Sequence, residues 1–336
     1  MTDKCAGLPV RRQQLIVFFS ADLVNATDYK TRHPPGTEPT AWPGKFERIF
    51  QSFHDEFLHQ IQTKRSELEQ PRQATCNFSM PKLWKINGDE LLYRDFVYPG
   101  EENEGFPSFV TSVKAFIDTV SLLDSNLLEE DLGIKGCVWT AGFPIRNKQI
   151  SFRAETASPV IQGNSDIVDP DAGDPNKSIM KDIIDYLGVD IDLGFRLCSN
   201  TPPGRVRCSL DVAWFLTFDQ NRKMTNVFHL GWTRLKGVCG GNPYPLLLLS
   251  QEGSLKPRTP WEPSDDNTLA ELRNALSNSL RPLSVQDVRD LAEELWKTLK
   301  LYLIKPYASF SRMHPAHTPI WTDKHEIKTL KVKNED

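Results

Sequence analysis

No run in this 336-residue chain approaches the roughly 18 apolar residues that would cross a bilayer as a helix. Residues 1–9 are too polar and too few for a signal peptide, so the expectation is a cytoplasmic protein with no membrane contact. The six cysteines (Cys5, Cys76, Cys137, Cys198, Cys208 and Cys239) are scattered without CxxC spacing, which favours reduced thiols over a disulfide or zinc framework. Positive charge is not in excess either, since 40 Lys and Arg stand against 44 Asp and Glu for a formal net charge of −4. No global field therefore draws in nucleic acid or an anionic membrane, although local Lys and Arg suffice for a nucleotide. No internal repeat is visible. What remains is an ordinary globular composition, 39% hydrophobic and 25% charged, with room for one large domain or two smaller ones.

Hydrophobic periodicity orders the chain. Leu15, Ile16, Val17, Phe18 and Phe19 read as a buried strand that ends at Asp22. Phe46, Ile49, Phe50, Phe53, Phe57 and Ile61 recur at helical spacing and predict a core-facing helix. Leu83-Trp84 and Leu91-Leu92-Tyr93 read as a hairpin with Asn87-Gly88 as its turn signal. Residues 109–123 predict a second helix, 134–140 a buried strand, 180–187 a helix and 205–216 a strand, and the stretch 227–249 ends in another apolar run. The acidic stretch 164–177 reads as a solvated loop. After a Pro-rich break at 255–265, Leu269, Leu272 and Leu276 mark a short helix, and Ser284 caps a longer one carrying Val288, Leu291, Leu295 and Leu299. His314 and His317 lie in a polar tail and read as loop residues rather than metal ligands. The pattern predicts an α+β domain over 10–250, with helices on one face of a mostly antiparallel sheet, and a C-terminal helical extension with a polar tail over 266–336.

Two carboxylates stand out within that scheme. Asp22 lies at the end of a buried strand and Asp89 on a hairpin tip, and they converge if the strands are neighbours. Two such groups about 4 Å apart repel by about 4 kcal/mol at an effective dielectric near 20. A pair of hard divalent cations carrying a nucleoside triphosphate would reverse that penalty. The carbonyl of Leu23 is a further oxygen ligand, and backbone N–H groups at Asn25, Ala26 and Thr27 could cradle phosphate oxygens.

Four segments carry a family resemblance. Asp22-Leu23-Val24-Asn25-Ala26-Thr27 resembles the D-[IL]-V-x-x-T segment that ends the first strand of class III nucleotidyl cyclases, and Lys85-Ile86-Asn87-Gly88-Asp89 resembles their K-x-x-G-D hairpin. The stretch from Asp185 through Gly188 to Arg196 is similar to D-x-x-G-x-x-V-N-x-A-x-R, and Leu235-Lys236-Gly237-Val238, followed by Pro243, is similar to the closing L-K-G strand. Each segment alone is weak evidence, but all four occur in the family's order. The resemblance implies a ferredoxin-like palm in which Asp22, Leu23 and Asp89 hold two divalent cations, Mn2+ or Mg2+. It implies that Arg196 faces the charge developing on the α-phosphate and that Lys236 neutralises the outer phosphates. Lys85 and Asp185 match the base-reading positions, where a donor and an acceptor suit adenine, cytosine or uracil alike.

The chain departs from the family at Asp192, which stands where the family has Asn, and at Asn25-Ala26, which replaces Gly-Phe. Glu90 follows Asp89 as in the related GGDEF palm. The pattern is most similar to the pyrimidine cyclases of bacterial Pycsar anti-phage systems. That likeness implies conversion of UTP to 3′,5′-cyclic UMP and pyrophosphate, with CTP or ATP as alternative substrates. It also implies a homodimer with composite sites and a separate effector protein that senses the product. The competing readings are a GGDEF-like diguanylate cyclase and a catalytically dead nucleotide-binding module.

Overall fold

The computed structural model describes residues 14–36, 41–68, 80–97, 106–143, 146–153, 182–218, 225–251 and 281–298. The loop 164–177, the helix at 269–276, Leu299, His314 and His317, and the thiols Cys5 and Cys76 lie outside those residues.

The first four strands form a split β-α-β unit. β1 (Gln14–Val24) is followed by α1 (Ala26–Arg32) and α2 (Trp42–Leu68), then by the hairpin β2 (Lys82–Asn87) and β3 (Glu90–Phe96). α3 (Pro107–Leu127) leads back to β4 (Gly133–Phe143). β1 lies between β3 and β4 and is antiparallel to both, which is the ferredoxin-like arrangement. β7 (Val206–Cys208) then adds in parallel to β4, and β9 (Pro243–Ser250) and β8 (Asn226–Arg234) extend the sheet antiparallel, in the order β2-β3-β1-β4-β7-β9-β8. β5 (Asn147–Arg153) and β6 (Asp182–Gly188) pair as a separate antiparallel ribbon. The fold is α+β with a mostly antiparallel sheet, as expected.

β1 is apolar on both faces because both are covered. Phe19 packs against Phe57 of α2 and Phe116 of α3, whereas Phe18, pointing the other way, meets Trp84, Trp139 and Tyr186. On that second face lies α4 (Val189–Ser199), whose Phe195 contacts Trp139. Helices therefore cover both faces of the sheet, not one. Gly194 explains the close approach of α4, since a Cβ there would lie 2.2 Å from the Trp139 ring.

Three local expectations need correction. The hairpin turns at Gly88-Asp89, with Gly88 at φ 68, one residue later than the Asn87-Gly88 signal. Residues 182–188 form strand β6, not a helix, because β5 supplies a pairing partner along its whole length. The expected strand 205–216 is short strand β7 followed by α5 (Leu210–Leu216), since Ser209 Oγ accepts from Val212 N–H and caps a helix there.

The final helix forms as its sequence signals predict. In α6 (Val285–Thr298), Ser284 N–H donates to Asp287 Oδ2 at 2.8 Å and Asp287 N–H donates to Ser284 Oγ at 3.1 Å, a reciprocal cap. Val288, Ala292 and Leu295 are buried, and the helix packs on α5, with the Arg289 guanidinium over the Phe218 ring. Cys137, Cys198, Cys208 and Cys239 are free thiols. Among the described residues no helix is long and apolar enough to cross a membrane.

Candidate active site

Asp22 and Asp89 meet at one end of the central strands. Asp22 sits near the end of β1, in register with Glu90 of β3 on one side and Lys135 of β4 on the other. Leu23 N–H donates to the Asp89 carbonyl at 3.1 Å, which ties the hairpin turn to β1. The N–H and C=O of one strand residue point to the same side, so the Leu23 carbonyl is also directed toward that turn. Asp22 does not cap a helix, because Asn25, at φ 63, is the residue that precedes α1. Burial raises the Asp22 carboxyl above its ordinary value; Lys135 acts against that shift, Asp89 adds to it, and Lys30 lowers it. Asp22 thus feels the charge of Asp89.

Two neighbours complete the group, of which Lys135 was not anticipated from the sequence and Glu90 was noted there only for its place after Asp89. Lys135 Nζ lies 3.2 Å from Asp22 Oδ2, with both side chains mostly covered. Its sequence signal was a single Lys in the apolar strand Gly133–Phe143. Glu90 accepts a short hydrogen bond from Ser20 Oγ and a longer one from Asn87 Nδ2 at 3.4 Å. Its carboxyl is raised, mainly by burial, with Asp22 adding to the effect and Ser20, Asn87 and Lys135 opposing it.

A second group forms between β2 and β6. Lys85 Nζ lies 2.9 Å from Asp185 Oδ1, which also accepts from Tyr186 N–H. The Lys85 ammonium stands 4.1 Å from the centre of the Trp84 ring, and Trp84 Nε1–H donates to the Ile184 carbonyl at 2.9 Å. The structure therefore brings the two base-reading candidates together on an aromatic floor completed by Tyr186 and Phe18.

A third group joins α4 to the turn after β8. Arg196 Nε donates to the Lys236 carbonyl at 3.1 Å, and both side chains are exposed. Asp192, also exposed, lies one helical turn before Arg196. α4 is anchored at its start by buried Asp190, which pairs with Arg146 and accepts from Asn147 Nδ2 at 2.7 Å and Gly142 N–H at 3.3 Å. At the strand-to-helix turn, Asn25 Nδ2 donates to the Asp131 carbonyl at 3.2 Å, Ala26 is buried and Thr27 is exposed.

No protein-family model and no curated protein matches the chain. Solved structures with a similar course include the adenylyl cyclase CyaB from P. aeruginosa, at 12% identity over 71% of this chain and 95% of that one, with a TM-score of 0.41. An adenylate cyclase from Trypanosoma brucei has 12% identity over 73% and 94%, with a TM-score of 0.43. The guanylate cyclase domain of RhGC from Catenaria anguillulae, in complex with GTP, has 9% identity over 71% and 98%, with a TM-score of 0.40. Likeness at this level says nothing about chemistry, which rests on the residues themselves.

The first group suits cations in its donor set. Two carboxylates and a backbone carbonyl are hard oxygen donors, and a positive charge already rests on Asp22. No cluster of three or more His, Cys, Asp or Glu side chains that could hold a metal occurs among the described residues. Ions bound here would therefore need oxygens from substrate or water to complete their shells.

No hydrogen bond or ion pair among the described residues joins the Arg196–Lys236 group to the carboxylates. On α4, Cys198 is buried and senses Glu90 and Ser20, whereas Arg196 lies about 200° around the helix and is exposed. The candidate phosphate-binding arginine thus lies on the solvent side of α4.

Proposed function

We propose that this protein is a nucleotidyl cyclase that converts a pyrimidine nucleoside triphosphate, UTP first, to its 3′,5′-cyclic monophosphate and pyrophosphate. The observation that carries the reading is the joining of Asp22 and Asp89 at one sheet end, with exposed Arg196 tied to the backbone of exposed Lys236. Asp22, Asp89 and the Leu23 carbonyl would hold two divalent cations, Mn2+ or Mg2+, which lower the pKa of a ribose 3′-hydroxyl and offset charge on the departing pyrophosphate. Arg196 binds the α-phosphate as negative charge develops there, and Lys236 binds the outer phosphates. Asn25, Ala26 and Thr27 present backbone donors to the triphosphate. Lys85 donates to the base and Asp185 accepts from it through Oδ2, which the Lys85 pair leaves open. Asp192, a carboxylate beside these cations, suits the ribose hydroxyls better than a phosphate.

The working unit is a homodimer. Carboxylates of one chain face the Arg196–Lys236 and Lys85–Asp185 groups of the other, giving two composite sites. The exposed apolar residues Leu83 and Ile86 on β2 and Leu187 on β6, which accompany Lys85 and Asp185, and Val189 at the start of α4 support a covered surface there. A cyclic mononucleotide is a diffusible signal, and an effector protein that senses it in bacterial antiviral defence is the role that the sequence resemblance suggests.

The test is incubation of the purified protein with each of the four ribonucleoside triphosphates and Mn2+, with products identified by mass spectrometry. Cyclic UMP from UTP is the expected product. A purine or cytidine product would move the base assignment, a cyclic dinucleotide would favour the GGDEF-like reading, and no product from any base would leave a nucleotide-binding module.

A further inference from the structure

Lys135 forms an ion pair with the candidate metal carboxylate Asp22, and the chemistry above does not use it. It stands directly across the β1–β4 pair from Asp22, and its ammonium lies 3.2 Å from Asp22 Oδ2. The neighbouring positions Ile134, Cys137, Val138 and Trp139 are buried and apolar, so this cation sits on the polar end of an otherwise hydrophobic strand. Its side chain is 20% exposed and that of Asp22 27%, so water screens the pair only in part. Its charge also acts on Glu90, on the opposite side of Asp22.

A divalent ion bound to Asp22 Oδ2 would lie about 2.0–2.6 Å from that oxygen. The ammonium occupies the same neighbourhood, and a double positive charge that close to it is strongly repelled. The ion and Lys135 therefore compete for one carboxylate oxygen. A nucleoside triphosphate changes the balance, because it brings several negative charges with its own ions and can neutralise the displaced ammonium.

We infer that Lys135 is a resident counter-cation of the carboxylate pair, which keeps divalent ions off Asp22 until nucleotide arrives and so makes metal and nucleotide load together. This inference rests on the assignment of Asp22 and Asp89 as metal carboxylates, but not on which nucleotide is cyclised. Lys135 is a positioning residue in this role, since it acts through Asp22 and not on the reacting atoms.

The test is Mn2+ binding to the full chain without nucleotide, read from the electron paramagnetic resonance signal of free Mn2+. Lys135→Gln should bind Mn2+ roughly tenfold more tightly than the natural chain. Lys135→Arg, which keeps the charge, should bind as weakly as the natural chain. Asp22→Asn in the Lys135→Gln background should remove the gain. Should Lys135→Gln fold poorly, as judged by thermal melting, Lys135→Met, which keeps the packed stem, serves the same comparison. Equal or weaker Mn2+ binding by the uncharged variant would overturn the inference, as would a gain that survives Asp22→Asn. Because nucleotide turnover is not measured, loss of the cyclase reading and loss of this inference give separate results.

Discussion

Arg196 Nε donates a hydrogen bond of 3.1 Å to the Lys236 backbone carbonyl, joining two residues that are 40 positions apart. That bond ties the turn after β8 to α4. The guanidinium keeps its other donors for an anion.

Position on α4 then controls the arginine. Gly194→Ala would place a methyl 2.2 Å from the buried Trp139 ring, which has no room to retreat between Phe18 and Phe195. The variant should lose about 1–3 kcal/mol of stability in urea titration. Any remaining folded protein should show a lowered kcat, since Arg196 lies two residues further along the same helix.

Asp89 sits in a turn and makes its structural contribution through its backbone carbonyl. Asp89→Asn should therefore melt at nearly the same temperature as the natural chain while losing turnover. Retained activity at normal stability would remove Asp89 from the metal site.

The exposed Arg196 makes complementation the test of composite sites. Arg196→Ala alone should lower kcat by about 100- to 1,000-fold, the cost of losing one donor to developing charge. Random mixing of Arg196→Ala and Asp89→Asn chains should restore about a quarter of natural activity, because half the dimers are mixed and each has one intact site of two. No recovery on mixing would argue against sites shared between chains.

Lys85 and Asp185 hold each other at 2.9 Å, so neither can be changed without freeing the other. Lys85→Ala and Asp185→Ala should each reduce discrimination between bases, measured as kcat/KM ratios, by about 10- to 100-fold, the worth of a hydrogen bond to a charged group. A variant that loses activity equally with all bases would reassign the pair to structure.

His229 on β8 gives a pH dependence unconnected with catalysis. Burial lowers its pKa below the ordinary 6.5, and a backbone hydrogen bond involving Gly231 acts the other way. The unfolded chain therefore binds the proton more readily, so stability is full above about 6.5 and falls as pH drops through the depressed folded value. Urea midpoints should decline between neutral and mildly acidic pH, and His229→Gln should flatten that slope. An unchanged slope in the variant would assign the effect to other groups.

Local pattern was enough for the elements whose cause is local. The phenylalanine stripe of α2, the apolar run of β1 and the Ser284–Asp287 cap of α6 depend on neighbours a few residues away. The carboxylates Asp22 and Asp89 were also legible, because a polar residue at the end of a buried strand and another after a turn glycine are visible in one dimension. Residues 182–188 were misread as helix because their strand partner, β5, lies across a long intervening segment. A strand is stabilised by whatever pairs with it, and pairing is not written in the strand itself.

The sequence by itself thus determined the order of the candidate residues and the elements that carry most of them. Tertiary structure decided that Lys135 stands opposite Asp22, that Lys85 reaches Asp185, and that Arg196 is bound to the Lys236 carbonyl on an exposed side of α4. These relations follow from strand register and from the rotation of α4 about its axis, both set by packing between distant segments, where one residue of slip would send every side chain to the other face.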